Sequence, residues 1–500
     1  MKILSSAAIR TVDAKTIQYD KISSSDLMEN AATAFFNSFT QKYKNKEKTI
    51  ALFCGIGNNG GDGLVVARLL HNAGYTVVVY MLRVSDTLSD DCALNIERAK
   101  RVGVNITDIT STVQIPDLHD SDIIIDAIFG TGLSREITGL IKDVINAINA
   151  TNKTVISVDV PSGLFLDKPT QLAVEATETV TFQIPKLSLF LPDNNRFVGK
   201  LSIEDIGLSR VAIDEAETDK YYITLEDMVK QLKPLGQFAH KGTQGHALIV
   251  GGSLGKIGAV SLASKAALKS GCGLVSAFVP KCGTIPLQSF FPEVMVIEDS
   301  KQNSISSITF DIRPDAIAIG MGMGKQDETK QALQQFIKSN NIPLVIDADA
   351  LNILSENYEW INDLQPNTIL TPHPGELKRL IGAWENDFEK IELTRALAQK
   401  YNLIVVIKGA HTIIVDAKNM YVNSSGTSAL ATAGSGDVLS GIIVSLLAQG
   451  YEPIVATQLG VYIHGKTANI TTEEINPRTF IASDIIENIG KVYNMMDSHG

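Results

Sequence analysis

Cysteine is scarce in this chain of 500 residues: there are four, at positions 54, 92, 272 and 282, and no two are spaced as a C-x-x-C pair. That excludes a disulfide scaffold and a thiolate metal site, and it fits a reducing compartment. Cys272 and Cys282 lie in glycine-flanked apolar surroundings and are expected to be buried thiols. Long apolar runs are missing as well; none approaches the ~20 residues needed to span a bilayer. Positive charge is in deficit, with 44 Lys and Arg against 55 Asp and Glu for a net charge of −11, which argues against nucleic acid or an anionic membrane surface as partner. The start of the chain, Met1-Lys2-Ile3-Leu4-Ser5-Ser6, has one basic residue and soon turns polar, so it does not read as a signal peptide, and a cytoplasmic protein is expected. There is no repeat of fixed period.

What is present is a soluble globular composition, 44% hydrophobic and 20% charged, in a chain long enough for two cores. Residues 49–54, 76–82, 122–128 and 154–160 read as strands, with helices at 64–73, 89–102 and 136–150 between them. Alternation of near-continuous apolar strands with amphipathic helices predicts a parallel sheet covered on both faces. Two helices, near 7–17 and 27–39, precede it. Residues 208–220, with Asp214, Glu215, Glu217 and Asp219, read as a polar, acidic linker. Alternation resumes at His246: strands are expected at 246–251, 273–279, 315–319, 344–347, 369–371 and 403–408, and helices at 259–270, 326–339, 387–400, 437–449 and 453–471. The reading is two different α/β domains, 1–210 and 222–500.

The richest stretch is Ala431-Thr432-Ala433-Gly434-Ser435-Gly436-Asp437-Val438-Leu439-Ser440-Gly441. A glycine turn at a helix N-terminus aims unpaired N–H groups outward, and the helix dipole adds positive potential. That suits a nucleotide phosphate. A carboxylate beside a phosphate site needs a reason, and Asp437 has one as the base that takes a proton from a substrate hydroxyl. Helix capping is the plainer alternative. Several turns after strands accompany it: Gly251 to Ala259, Gly320-Met321-Gly322-Met323-Gly324, Thr371-Pro372-His373-Pro374-Gly375-Glu376, and Lys408-Gly409-Ala410-His411-Thr412, which runs into a hairpin. The first is no Walker A loop, since its spacing is short and Ile257 replaces the Ser or Thr. Met321 and Met323 read as packing.

In the first half, Gly55-Ile56-Gly57-Asn58-Asn59-Gly60-Gly61-Asp62-Gly63 lies between a strand and a helix. It contains a dinucleotide fingerprint, but the acidic residue wanted about twenty positions later is absent, which weakens a simple NAD dehydrogenase. Asp126 precedes Phe129-Gly130-Thr131-Gly132, and Asp159 precedes Pro161-Ser162-Gly163. Strand carboxyl ends line the crevice of an open parallel sheet, so Asp62, Asp126 and Asp159 should converge on one pocket.

Residues 57–63, 126–132 and 159–163 resemble the three signatures of the NAD(P)H-hydrate epimerases, over roughly residues 1–210. The resemblance implies a Rossmann-like domain that interconverts the R and S forms of hydrated NADH and NADPH (NADHX and NADPHX). It implies substrate contacts from Asn58, Asn59, Gly60, Gly61 and Asp62, from Gly130, Thr131, Gly132, Leu133, Ser134, Arg135 and Glu136, and from Asp159. Asn59, Asp126 and Ser162 would hold a potassium ion, whose hardness suits oxygen ligands. Asp159 is the expected proton-moving group.

The second half resembles the ribokinase-like fold and, within it, the ADP- or ATP-dependent NAD(P)H-hydrate dehydratases, through 251–259, Asp347-Ala348-Asp349-Ala350-Leu351-Asn352, 371–376, 408–412 and 431–441. The resemblance covers roughly 225–495, with Met321 where proline is common. It implies that Lys408, Gly409, Ala410, His411, Thr412, Gly434, Ser435 and Gly436 bind the adenine nucleotide, with magnesium. Ala259, Gly322, His373 and Asp437 would contact the hydrated cofactor. Asp437 would deprotonate its 6-hydroxyl for phosphorylation, and loss of the phosphate would restore the ring double bond. Two other readings stand beside this one: a ribokinase-like small-molecule kinase with an accessory nucleotide-binding domain, and an N-terminal half that only binds. The choice of ADP or ATP stays open. A homo-oligomer is compatible with a two-site chain, though no particular residue argues for it.

Overall fold

Strands such as Thr49–Cys54 and Ile123–Ala127 are buried along almost their whole length, as runs of Ile, Leu and Ala require when helices cover both faces of a sheet. The computed structural model describes residues 1–85 and 87–499. It divides into Met1–Thr218 with Asn386–Phe388, and Asp219–Glu385 with Glu389–Gly500.

The N-terminal unit carries β1 (Thr49–Cys54), β2 (Thr76–Leu82), β3 (Asn105–Ile109), β4 (Ile123–Ala127), β5 (Thr154–Val158), β6 (Glu178–Phe182) and β7 (Lys200–Glu204). Its helices are α1 (Ser6–Asp20), α2 (Ser24–Lys42), α3 (Asn58–Asn72), α4 (Asp90–Arg101), α5 (Gly139–Asn149), α6 (Asn195–Val198) and α7 (Arg210–Glu215). The strand order is β3-β2-β1-β4-β5-β6-β7, and every pairing is parallel. The order reverses between β1 and β4, and the crevice above that point is where such sheets take ligands. The motif after β1 and the motif after β4 flank it. Strands β3 (NITDI), β6 (ETVTF) and β7 (KLSIE) were not expected: β3 and β7 stay half-polar at the sheet edges, and Glu178 and two threonines interrupt the apolar run in the buried β6.

The expected linker contains a short helix, and the boundary between the two units, after Thr218, falls inside that stretch. Within 208–220, α7 buries Ala212, while Lys2 Nζ donates to the carbonyls of Ile213, Asp214 and Ala216 at 3.1, 2.7 and 2.7 Å. A lysine on the last carbonyls of a helix satisfies its open acceptors. Asp214 and Glu215 lie on the solvent face of α7 and Glu217 is exposed just after it, so part of the acidic stretch belongs to a packed element.

The C-terminal unit carries β8 (Lys220–Ile223), β9 (His246–Val250), β10 (Leu274–Val279), β11 (Met295–Glu298), β12 (Ala316–Ile319), β13 (Leu344–Ile346), β14 (Ile369–Leu370), β15 (Ile404–Ile407), β16 (Ile413–Val415) and β17 (Met420–Asn423). Its helices are α8 (Leu225–Gln231), α9 (Ile257–Lys269), α10 (Thr284–Phe290), α11 (Asp327–Ser339), α12 (Ala348–Glu356), α13 (Pro374–Ile381), α14 (Asp387–Tyr401), α15 (Ser435–Ala448), α16 (Pro453–Thr471) and α17 (Ala482–Asp497). The order is β11-β10-β9-β12-β13-β14-β15-β16-β17-β8. Pairing is parallel from β11 to β15, and the expected hairpin follows as antiparallel β15, β16 and β17.

Helix α15 runs through the core, with Val438 to Ala448 all buried, as a helix apolar on every side must be. It lies close to α9 because residue 441 is glycine: a Cβ there would stand 2.2 Å from the Ala263 carbonyl oxygen. Cys54, Cys92 and Cys272 are buried free thiols, whereas Cys282 is only partly covered, short of the burial expected for it. Among the described residues no helix is long and apolar enough to cross a membrane.

Candidate functional sites

In the N-terminal unit a cavity of about 550 Å³ opens over the β1–β4 crevice. Asn58, Asn59 and Asp62 line it from the first turns of α3, Gly130, Thr131, Gly132 and Leu133 from the turn after β4, and Asp159 from the end of β5. Gly60 and Gly61 lie inside the fold: a Cβ on Gly60 would stand 1.8 Å from the Gly55 carbonyl oxygen, and one on Gly61 would meet Met28. Their absent side chains let α3 start close to β1. Ser134, Arg135 and Glu136 continue the same loop as exposed residues and do not form part of the cavity wall.

Asp126 is fully buried behind this wall. Its carboxylate accepts from Ser157 Oγ and Ser162 N, both at 2.8 Å, and from Ile128 N at 3.3 Å. Burial nevertheless pushes its pKa up against these bonds. Ser162 Oγ accepts from Phe129 N at 2.8 Å, and the adjoining Gly130 abuts Asn59, whose amide would be 3.2–3.3 Å from a Cβ on that glycine. Asn59, Asp126 and Ser162 therefore gather around one turn. The Asn59 amide nitrogen, although buried, has no hydrogen-bond partner. A half-turn of this amide would present its oxygen, an acceptor, at the same place. An oxygen-rich, buried set whose carboxylate has no ion-pair partner among the described residues, with an orphaned amide beside it, fits a hard monovalent cation.

Asp159 holds a left-handed backbone (φ +67°), a strained conformation for a residue with a side chain. Its Oδ1 accepts from Lys186 Nζ at 2.6 Å, Phe182 N at 3.2 Å and Thr181 Oγ1 at 3.3 Å. Lys186 is buried and spends its remaining donors on Thr181 Oγ1 and the Phe182 carbonyl. A carboxylate so engaged is poorly placed to move protons, which argues against the role expected for Asp159. Two carboxylates on the same cavity, Asp13 and Asp62, have no hydrogen-bond or ion-pair partner among the described residues. Burial, then the Asp159 charge, lifts Asp13 to about 6 against the opposing pull of Lys186. Burial, then Asp159, Asp13 and Asp91, holds Asp62 well above the usual carboxylate range. Sequence reasoning missed Asp13 and Lys186. The available signals were a carboxylate at the i+4 position of an apolar stripe (Ile9, Asp13, Ile17) and a lone lysine in Phe182–Phe190.

In the C-terminal unit, α15 begins at Ser435 after Gly434, which takes φ +85° and leaves no room for a side chain: a Cβ would be 2.5 Å from Leu262 Cδ1. Asp437 stands in the first turn, partly buried, and its carboxylate has no partner among the described residues. Burial raises it to about 7, assisted by Asp347, Asp349 and Glu376 and opposed by Lys408. Lys408, at the end of β15, lies 2.8 Å from Asp347 Oδ1. Ser440 Oγ donates to Asp347 Oδ2 at 2.6 Å and Ala348 N to Oδ1 at 2.8 Å. Gly436 permits this approach, since a Cβ there would stand 3.1 Å from Lys408 Nζ.

The loop after β12 packs onto the same region. Gly320 and Gly322 have φ of +123° and +63°, and Cβ atoms there would be 1.9 Å from the Asp347 carbonyl oxygen and 2.7 Å from that of Lys256. Gly322 is also adjacent to Ala259 of α9, whose Cβ would be 3.3 Å away, so these two expected contacts come together. Asp349 Oδ2 accepts from Gly324 N at 2.9 Å and Lys256 Nζ at 3.3 Å. Met321 and Met323 are fully buried. His373 caps α13 by accepting from Gly375 N at 3.0 Å and leaves its ring exposed beside Glu376. Gly409 to Thr412 form the turn of the β15–β16 hairpin next to Lys408. His464, which sequence reasoning passed over within the apolar α16, is buried, and its Nε2 lies 3.0 Å from the Ser435 carbonyl oxygen and 3.1 Å from Ser435 Oγ. A carbonyl only accepts, so Nε2 carries the proton. Burial lowers this histidine to about 4.

Residues 24–188 match the family described as YjeF-related protein N-terminus, and residues 247–491 match the family described as NAD(P)H-hydrate dehydratase. The bifunctional NAD(P)H-hydrate repair enzyme Nnr of Moorella thermoacetica is 34% identical over 94% of each chain. That of Escherichia coli is 32% identical over 94% of this chain and 89% of its own. A solved ADP/ATP-dependent NAD(P)H-hydrate dehydratase from Bacillus subtilis, co-crystallised with ATP and Mg2+, is 27% identical over 55% of this chain and 98% of its own, with a TM-score of 0.48.

Proposed function

Because the chain belongs to the family of bifunctional NAD(P)H-hydrate repair enzymes, we propose that its two sites act in series on hydrated nicotinamide cofactors. The N-terminal half interconverts the R and S epimers of NADHX and NADPHX, and the C-terminal half dehydrates the S epimer at the expense of ATP or ADP. We assign the first activity to residues 1–210 and the second to 222–500. The observation that carries the reading is Asp437: a carboxylate without a partner among the described residues, lifted to about 7, in the first turn of a buried helix and beside Lys408.

At that site Asp437 takes the proton of the 6-hydroxyl, and the oxygen attacks the terminal phosphorus of the nucleotide as the bond to the bridging oxygen breaks. Backbone N–H groups of Gly434, Ser435 and Gly436 and the Lys408 ammonium hold the charge that develops. The ring nitrogen then expels the phosphate from C6, and loss of a proton from C5 restores the double bond. Lys408 to Thr412 hold the nucleotide, while Ala259, Gly322 and His373 face the hydrate. Magnesium would come with the nucleotide and neutralise phosphate charge; among the described residues no group of three or more His, Cys, Asp or Glu side chains forms a cage for it.

In the N-terminal cavity, Asn58 to Asp62, the loop from Gly130 to Glu136 and Asp159 receive the substrate. Asn59, Asp126 and Ser162 would hold potassium, which would supply a fixed positive charge beside the crevice. The four free thiols suit a reducing, cytoplasmic setting.

The test is to incubate the full chain with an R and S mixture of hydrated NADPH, magnesium and either ATP or ADP, following absorbance of the restored dihydropyridine. Complete recovery of both epimers is expected. Recovery of the S share alone removes the epimerase assignment. Accumulation of phosphorylated hydrate makes the protein a kinase. No recovery with either nucleotide ends the whole reading.

A further inference from the structure

The epimerase reading leaves open which groups move protons, and the N-terminal cavity contains two that nothing else employs. Resting on that reading, we propose that Asp13 is the general base of epimerisation and Asp62 its acidic partner. They reach the cavity from different elements, Asp13 from α1 and Asp62 from the first turns of α3. Neither carboxylate has a hydrogen-bond or ion-pair partner among the described residues, whereas Asp159 on the same wall is tied to Lys186.

The chemistry of the substrate sets the task. The hydrated carbon, C6, bears a hydroxyl and is bonded to the ring nitrogen, so its configuration inverts if the hydroxyl leaves and water returns to the other face. Asp62 gives its proton to the hydroxyl. The C6–O bond breaks as the ring nitrogen's lone pair forms the N1=C6 bond, and water departs. Asp13 takes a proton from a water molecule that attacks C6 on the opposite face, and the electron pair returns to nitrogen. Transfer of the proton from Asp13 to Asp62 closes the cycle, with no other reactant consumed.

The environment prepares the pair for these roles. The charged groups that face it are Arg10 on α1, Asp91 on α4, Asp159 after β5 and Lys186 after β6. Burial, with Asp159, Asp13 and Asp91 adding to it, favours the protonated form of Asp62, the form in which it can donate. Lys186 moderates the same forces at Asp13, whose value of about 6 leaves it mostly ionised at neutral pH.

The experiment uses the full chain without nucleotide, so that dehydration is silent, and follows R-to-S conversion by chromatography. Asp13→Asn is expected to lower kcat by about 10²–10⁴-fold, with KM within about threefold. Wild-type kcat/KM should rise through pH about 6, and that limb should vanish in Asp13→Asn. The variant should also unfold at a higher temperature than wild type at pH 7, because it no longer buries a charge; a merely structural carboxylate would give the opposite shift. Asp62→Asn should lower kcat similarly. A wild-type rate in Asp13→Asn, or an unmoved acid limb, overturns the proposal while the epimerase reading stands. Absence of any acceleration by wild type over buffer overturns the epimerase reading instead.

Discussion

Lys408 and Asp347 form an ion pair with a 2.8 Å separation, and the two pull the neighbouring Asp437 in opposite directions. The lysine lowers the pKa of that carboxyl and the aspartate raises it, with burial as the larger cause and about 7 as the outcome. Asp437 works ionised, so kcat/KM for dehydration should climb as pH rises through that value. Lys408→Met should move the limb to higher pH, and Asp347→Asn should move it lower, each by on the order of one pH unit. A pH–rate profile of the three proteins checks this. Shifts in the same direction would show that the limb belongs to another group.

Asp437→Asn removes the base and leaves the helix start intact, because no protein group among those described depends on that carboxylate. Dehydration should fall by about 10²–10⁴-fold, while nucleotide affinity changes little or improves as a negative charge leaves the phosphate site. Steady-state rates and a nucleotide titration measure the two effects separately. A loss confined to nucleotide affinity would make Asp437 a binding residue.

The parts of both sites that could be read from sequence are those that depend on backbone. A glycine turn between a strand and a helix is contiguous, and Gly436-Asp437, Asn58 to Asp62 and Asp126 to Gly132 all have that form. The strand order that juxtaposes β1 and β4 is long-range, so it says nothing locally about which helix roofs the crevice. Asp13, in a helix before the sheet, and Lys186, after β6, were hidden for that reason. Asp347 was visible as a motif, but its bond to Lys408 joins residues 61 apart in sequence. Ser134 to Glu136 continue the motif as exposed residues beyond the cavity wall, where they would meet only a part of the substrate that extends out of the cavity.

His464 ties the core to the phosphate turn through Ser435, and it does so uncharged. Its folded pKa of about 4 lies below the ordinary 6.5, so the unfolded chain binds the extra proton first as pH falls. The stability it allows is present above pH 6.5 and is lost towards pH 4, by about 2–3 kcal/mol. In His464→Gln the stability of the C-terminal unit should change less with pH across that window, as read by denaturant unfolding at several pH values. His464→Ala should in addition raise the KM for nucleotide, since the Ser435 carbonyl loses its donor. An unchanged pH dependence would mean that some other buried group governs acid unfolding.

The glycines of the first turn of α3 are not equivalent, although the sequence presents them as one motif. A Cβ on Gly60 would stand 1.8 Å from the Gly55 carbonyl oxygen, against backbone that cannot swing aside. Gly57 caps the same helix with φ −94°, and a Cβ there meets nothing within 4 Å. Gly60→Ala must therefore push α3 away from the end of β1 and disturb the crevice, at about 3 kcal/mol or more. Gly57→Ala loses only some N-cap preference, about 1 kcal/mol or less. Urea unfolding of the two variants should separate them clearly, with the Gly60 substitution alone shifting the N-terminal transition by a large margin. Equal and small costs would show that α3 can retreat from β1 without loss, and that close packing at this turn is not what residue 60 requires.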